Sequence, residues 1–220
     1  LCNREIKFKL FFEQAMKFGA DFLATGHYCR NLLINQQFHL GKGVDPSKDQ
    51  SYFLYTIKKE ILAKVLFPVG GLLKSEVRRL AREHGLSTME KKDSTGICFI
   101  GERNFRQFLS NYIETKPGRF ENLKGEVVGK HMGVAFYTLG QRKGLGLGGP
   151  GEAWFVVGKD IKRNVVIVER GEVHPALYSD QLWANEISWV GEAPCSFPYR
   201  CKAKIRYRQQ DQECVIEELN

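Results

Sequence analysis

Helical periodicity stops at Lys116-Pro117-Gly118 and does not return. Ahead of that point, apolar residues recur at helical spacing in two clear stretches. Behind it the chain breaks into the short runs GEVVG, GVAFYTL, AWFVVGKD and NVVIVER. Turn residues separate these runs at intervals of roughly ten, the habit of small antiparallel β domains. A chain that changes period in this way is neither one helical bundle nor one uniform barrel. It reads as α/β followed by β. A second break falls at HPALYSD, residues 174–180, after which LWANEISWV is expected to start a further β unit. Three parts follow, residues 1–114, 115–174 and 175–220.

Within the first part, REIKFKLFFEQAMKF places Ile6, Leu10, Phe11, Ala15 and Phe18 on one predicted helical face, with Asn3 as N-cap and Gly19 as stop. Cys2 then sits at a helix N-terminus, where the dipole favours a thiolate. A frayed terminal residue with no role is the plain alternative. ADFLATGHY is a short buried strand that breaks at Thr25-Gly26-His27. Ligands in α/β sheets lie at the carboxyl ends of strands, and Gly26 would let a ligand come close to the backbone. Arg30–Asp45 forms a predicted hairpin around Gln36-Gln37. Lys48, Asp49 and Gln50 precede a predicted helix running to Leu66, either as its cap or as a polar trio facing a ligand. KSEVRRLAREHG predicts an amphipathic helix with Val77, Leu80 and Ala81 inward, and NFRQFLSNYI one more short helix.

EKKDSTGICFIGER, residues 90–103, puts Cys98 between glycines and behind Lys91 and Lys92. A thiol near lysines on a loop is the setting that lowers a cysteine pKa and makes a nucleophile. A small core residue in the apolar run ICFI is the alternative. The six cysteines, Cys2, Cys29, Cys98, Cys195, Cys201 and Cys214, contain no C-x-x-C pair, so neither a structural zinc nor a disulfide scaffold is expected. A reducing cytoplasm fits such thiols, and no apolar run approaches the roughly 20 residues that span a bilayer.

The net charge of +8 favours an anionic partner. YRCKAKIRYR sharpens that expectation. As one strand it would set Arg200, Lys202, Lys204, Arg206 and Arg208 on a single face, a ribbon suited to a phosphate backbone. A plain solvated face is the alternative. GQRKGLGLGGPG formally matches the dinucleotide fingerprint, but a strand-like AWFVV follows where a helix is needed. It reads as a hairpin loop with Gln141, Arg142 and Lys143 placed to touch an anion.

LCNREIKF, ATGHY, KDQSYFL, FPVGG, TGICFIGER, TLGQRKGLGLGG and IRYRQ together resemble the tRNA-specific 2-thiouridylase family, over nearly the whole chain. The resemblance implies an ATP-dependent enzyme that replaces the C2 oxygen of the wobble uridine of tRNA with sulfur. It implies the C-terminal part of a parallel-sheet PP-loop nucleotide-binding domain, a small central mainly-β domain for tRNA recognition, and a truncated C-terminal β-barrel. By motif, Cys98 would carry a persulfide and Cys2 would be the second catalytic cysteine, pairing with Cys98 as a disulfide. Gly26 would contact ATP (with Mg2+). Lys48, Asp49, Gln50, Arg206 and Tyr207 would contact tRNA, and a sulfur-donor protein would supply the persulfide. The chain opens without a methionine and ends on an unreturned strand, so it reads as an excerpt of a longer protein. The family's pyrophosphate loop is expected ahead of Leu1, and residues 1–220 alone are not expected to bind ATP competently. Other readings are another PP-loop tRNA-modifying ATPase, a non-catalytic tRNA-binding module, and a thiol–disulfide oxidoreductase, which leaves the basic strand unexplained.

Overall fold

A computed structural model describes residues 2–90, 108, 110–113, 115–207 and 209–218. Cys98, Lys91, Lys92, Arg208 and half of the predicted helix 104–113 lie outside the described residues. The chain divides into two compact units, Leu1–Asp93 with Asn185–Asn220, and Ser94–Ala184.

The first unit opens on Cys2–Phe11, wound in the wide i→i+5 fashion and kinked at Phe8 (φ −98°, ψ 19°). A regular helix α1, Phe12–Lys17, continues it. Gly19 (φ +84°) ends it as expected. The buried face differs from the predicted one. Phe8 is 3% exposed, whereas Ile6, Leu10, Phe11 and Phe18 are exposed. The cause is the winding: a wider turn and a kink carry residues of 3.6-residue spacing off a common face. Asn3 likewise does not cap; its amide donates to the Phe53 carbonyl at 3.1 Å.

Strand β1, Leu23–Ala24, pairs in parallel with β4, Val65–Leu66. Between them β2, Cys29–Ile34, and β3, Gln37–Lys42, form the predicted hairpin. Its turn, Asn35-Gln36, has φ of 48° and 63°, the doubly left-handed geometry that matches strand twist. Gly70 is required where it stands, since a Cβ there would lie 1.5 Å from the Cys29 carbonyl oxygen. The single helix expected up to Leu66 is instead a 3-10 turn Ser51–Phe53, a short helix α2, Lys59–Leu62, and then β4. Val65 belongs to the strand because pairing with Leu23 places it fully in the core. Helix α3, Lys74–Glu83, forms as predicted, with Val77, Leu80 and Ala81 half-buried. The Glu76 carboxylate accepts from Leu73 N at 2.8 Å and Asp45 from Lys74 N at 3.0 Å, so two carboxylates serve its N-terminus. The core joins Phe8, Leu23, Cys29, Leu54, Ile57, Leu62, Val65 and Phe67, with Val190 packed against them. Each such large side chain contributes about 1.5–3 kcal/mol by leaving water.

The later segment of this unit departs from expectation twice. LWANEISWV forms no strand. Strand β9, Tyr199–Ala203, pairs antiparallel with β10, Gln212–Ile216, and stops short of Lys204. The expected ribbon of five cations therefore does not form: Arg200 and Lys202 are on the strand, whereas Lys204 and Arg206 are in the turn. Gln209 closes that turn, accepting from Ile205 N at 3.0 Å through its side chain while its N–H donates to the Arg206 carbonyl at 3.1 Å.

In the second unit, β5, Gly118–Glu121, β6, Val127–His131, β7, Trp154–Asp160, and β8, Val165–Arg170, form a sheet in the order β6-β5-β8-β7. Only the β5–β8 pair is parallel. Phe120, Tyr137, Leu145, Val156, Val166 and Val168 fill its core. GVAFYTL is not the expected strand. Val134–Phe136 is a 3-10 turn, entered through Gly133 at φ +154° and held by Asn164, whose side-chain oxygen accepts from Val134 N. The glycine-rich segment runs into β7, not into a helix.

Candidate functional site

The Lys48–Phe53 turn gathers most of the residues singled out in the sequence. Its anchor is Asp49, a carboxylate only 6% exposed. A buried carboxylate must be satisfied, and Asp49 is: it accepts from Gly43 N at 3.0 Å, Ser51 N at 3.2 Å and the Ser51 hydroxyl at 2.9 Å. Lys204 Nζ approaches it to 3.9 Å, with that lysine's side chain 17% exposed. Gln50 clasps Tyr28 from both sides. Its side-chain oxygen accepts from Tyr28 N at 3.0 Å, while its own N–H donates to the Tyr28 carbonyl at 3.0 Å. Asp49 and Gln50 thus hold the turn to the end of β3, through Gly43, and to the start of β2, through Tyr28. Lys48 is half-buried.

The turn between β9 and β10 docks on this scaffold. Tyr52 donates its hydroxyl to the Ile205 carbonyl at 3.0 Å. The Tyr207 ring lies 4.5 Å from Phe53 and 6.0 Å from Tyr52 between centroids, and Lys204 Nζ stands 5.9 Å over Tyr52. Arg206 is left exposed at the tip. An ion pair from Lys42 to Asp211 braces the far side of the same turn. The structure therefore brings the segment of Lys204 and Tyr207 against the turn of Asp49 and Phe53, although about 150 residues separate the two segments in the chain. The Asn3–Phe53 hydrogen bond ties Cys2's helix to the same turn.

Gly26 follows the carboxyl end of β1, exposed, with nothing within 4 Å of where a Cβ would stand. Beside it His27 packs near Phe8 and Phe67, with ring centroids 5.8 and 6.4 Å away. Burial, then the charge of Lys7, lowers its pKa to about 4, so the ring is neutral at pH 7. Its Nδ1 lies 3.0 Å from the Thr25 hydroxyl. Cys29 is no nucleophile: burial and the nearby Asp49 charge push its thiol up to about 12. Cys2 is half-buried, and Cys98 is outside the described residues. Among the described residues no three His, Cys, Asp or Glu side chains converge as metal ligands, and no helix is long and apolar enough to cross a membrane.

The sequence reading missed Tyr52, Phe53 and Lys204 as parts of this face. Tyr52 and Phe53 were hidden in a predicted apolar helix, and Lys204 in a predicted strand. Their signal was the run Ser51-Tyr52-Phe53 directly behind three polar residues. In the second unit, a cleft of about 590 Å3 is lined by residues 142–149 together with Trp154 and Arg170. Arg170 lies 4.3 Å over the Trp154 ring and donates to the Glu152 and Gly148 carbonyls, so it clamps the glycine loop. Arg142 and Lys143 remain exposed on its rim.

The chain thus combines a small α/β unit, a separate β unit and a turn that groups cations with aromatic rings. Comparisons with known proteins narrow the reading. Residues 1–102 match the family model described as a tRNA methyl transferase HUP domain. Residues 106–170 match a tRNA methyl transferase PRC-barrel domain, and residues 179–220 an aminomethyltransferase beta-barrel domain. The chain is 64% identical over 220 residues to the tRNA-specific 2-thiouridylase MnmA of Protochlamydia amoebophila, covering 100% of this chain and 58% of that protein. It is 52% identical over 216 residues to the same-named protein of Shouchella clausii (98% of this chain, 59% of the relative). With that of Pseudomonas aeruginosa it shares 53% identity over 221 residues (99% and 59%). The chain spans a little under three fifths of the length of these relatives. It belongs to the tRNA-specific 2-thiouridylase family.

Proposed function

We propose that the protein of which this chain is part thiolates the C2 position of the wobble uridine of tRNA at the expense of ATP. One observation carries the reading: Tyr207 packs on Phe53 and Lys204 reaches Asp49, on the turn that Asn3 ties to the helix of Cys2. That arrangement sets cations and aromatic rings, the chemistry that grips a phosphate backbone and unstacked bases, near a candidate sulfur-handling thiol. Relatives named for 2-thiouridylation match the chain end to end. The first family models are described by methyl transfer instead, and the two chemistries leave different products.

In this reading the first 114 residues supply part of a PP-loop ATP-binding domain, residues 115–174 a tRNA-recognition domain, and residues 175–220 the start of a β-barrel. The open space at Gly26 and the neutral His27 beside it fit a nucleotide at the carboxyl end of β1. ATP with Mg2+, held beside Gly26, would supply the adenylyl group that makes the uracil C2 oxygen a leaving group. Cys98, loaded as a persulfide by a sulfur-donor protein, attacks C2 with its outer sulfur. Cys2 then attacks the Cys98 sulfur and breaks the S–S bond. The sulfur stays on C2 as AMP departs, and a Cys2–Cys98 disulfide remains to be reduced. Asp49 and Gln50 act by holding the turn, whereas Lys48, Arg206 and Tyr207 meet the tRNA. The target base must leave its stack for C2 to be reached.

Nucleoside mass spectrometry on tRNA treated with the full-length protein tests the reading. The expected product carries sulfur in place of oxygen at the wobble uridine. A methylated nucleoside would replace thiolation by methyl transfer. Unmodified tRNA that still binds tightly would support a non-catalytic tRNA-binding module.

A further inference from the structure

Strands β9 and β10 hold two thiols for which the proposed reaction has no use. Cys201 and Cys214 are directly opposed in the antiparallel ladder, and their sulfurs lie 3.5 Å apart. Opposed residues of such a ladder keep their Cα atoms about 4.5–5.5 Å apart, inside the roughly 4.4–6.8 Å that a disulfide spans. Their side chains share one face of the hairpin, so closing the bond needs side-chain rotation and no change of register. Both residues are half-buried and belong to neither core. The other described thiols differ. Cys29 is sealed in the core, Cys195 is exposed outside any strand, and Cys2 lies at the start of the first helix.

We propose that Cys201 and Cys214 form a reversible cross-strand dithiol–disulfide site whose oxidant is a peroxide. One thiolate attacks a peroxide oxygen, breaking the O–O bond to give a sulfenic acid and water. The second sulfur then attacks the first, the S–O bond breaks, and a second water leaves. The two sulfurs lose two electrons and the peroxide gains them. Burial, then the hydrogen bond to Cys214, push the Cys201 thiol upward, so Cys201 is a poor first attacker on the peroxide. A dithiol reductant reverses the bond by exchange. The bond would cross-link the middle of the hairpin whose turn docks Tyr207 on Phe53, and so would hold its two strands in the register seen with the turn docked. The proposal stands on the hairpin alone and does not depend on the thiolation reading.

The test is peroxide treatment of the full-length protein, alkylation of remaining thiols, and tryptic mapping. Lys202, Lys204 and Arg206 lie between the two cysteines, so trypsin separates them onto different peptides unless a bond joins them. The expected product is a linked pair of peptides carrying Cys201 and Cys214, two hydrogens lighter than the separate thiol peptides, lost on treatment with dithiothreitol. Cys195 should stay out of that pair and alkylate freely. In Cys201→Ser, Cys214 should instead accumulate as a sulfenic acid trapped by dimedone. Recovery of Cys201 and Cys214 from the wild type as singly modified peptides, or linked to other cysteines, would overturn the proposal.

Discussion

Asp49 shows how a residue named for binding can act through burial. Its carboxylate is 6% exposed and accepts three hydrogen bonds, two from backbone N–H groups. Asp49→Ala leaves those donors unpaired and Lys204 without its nearby counter-charge. The expected loss is about 1–3 kcal/mol of stability, read as a lower denaturant midpoint. Weaker tRNA binding should accompany it, because the turn between β9 and β10 loses its anchor. His27 makes a separate prediction. Its pKa falls from 6.5 to about 4 on folding, so between those values the unfolded chain binds a proton that the folded chain does not. Stability therefore declines as pH falls from about 6.5 towards 4, by an amount of order 1–2 kcal/mol for a partly solvated ring. His27→Gln should flatten that part of a pH–stability profile; an unchanged slope would mean that other groups carry it.

Turns and helix stops were legible in the sequence to within a residue, because local chemistry decides them, whereas the expected Asn3 cap instead reaches the distant Phe53. The Gly19 stop and helix α3 stand where propensity and spacing put them, and the hairpin turn expected at Gln36-Gln37 falls one residue earlier, at Asn35-Gln36. Elements whose limits depend on distant partners were not. Phe8 is buried by a wide, kinked helix that period counting does not anticipate. Strand β9 ends before Lys204 because Tyr52 and Asp49, far back in the chain, hold the turn that follows. The docked turn carries the element-scale predictions. Phe53→Ala removes the ring on which Tyr207 packs and should weaken tRNA binding by several-fold with little change in the fold, as read by circular dichroism. Arg206→Gln should weaken binding similarly for all tRNAs and lower the slope of log affinity against log salt by about one. An unchanged slope would remove Arg206 from the phosphate contacts.

At the scale of the molecule, the family motifs divide between what the structure gathers and what it leaves apart. KDQSYFL and IRYRQ meet in the first unit through Phe53 and Tyr207. The TLGQRKGLGLGG loop belongs to the second unit, where Arg170 fixes it against Trp154. TGICFIGER lies outside the described residues, so the role of Cys98 rests on family membership and on chemistry. The two-cysteine cycle makes a sharp prediction there. Without Cys98 no sulfur can be loaded. Without Cys2 the sulfur reaches the base but remains joined to Cys98.

Single-turnover thiolation by the full-length protein, with Cys98→Ser and Cys2→Ser run beside the wild type, tests that cycle most directly. The expected result is 2-thiouridine from the wild type alone, with both variants still binding tRNA and only Cys2→Ser yielding a protein–tRNA adduct that reductant releases. Full 2-thiouridine formation by either variant would contradict the account.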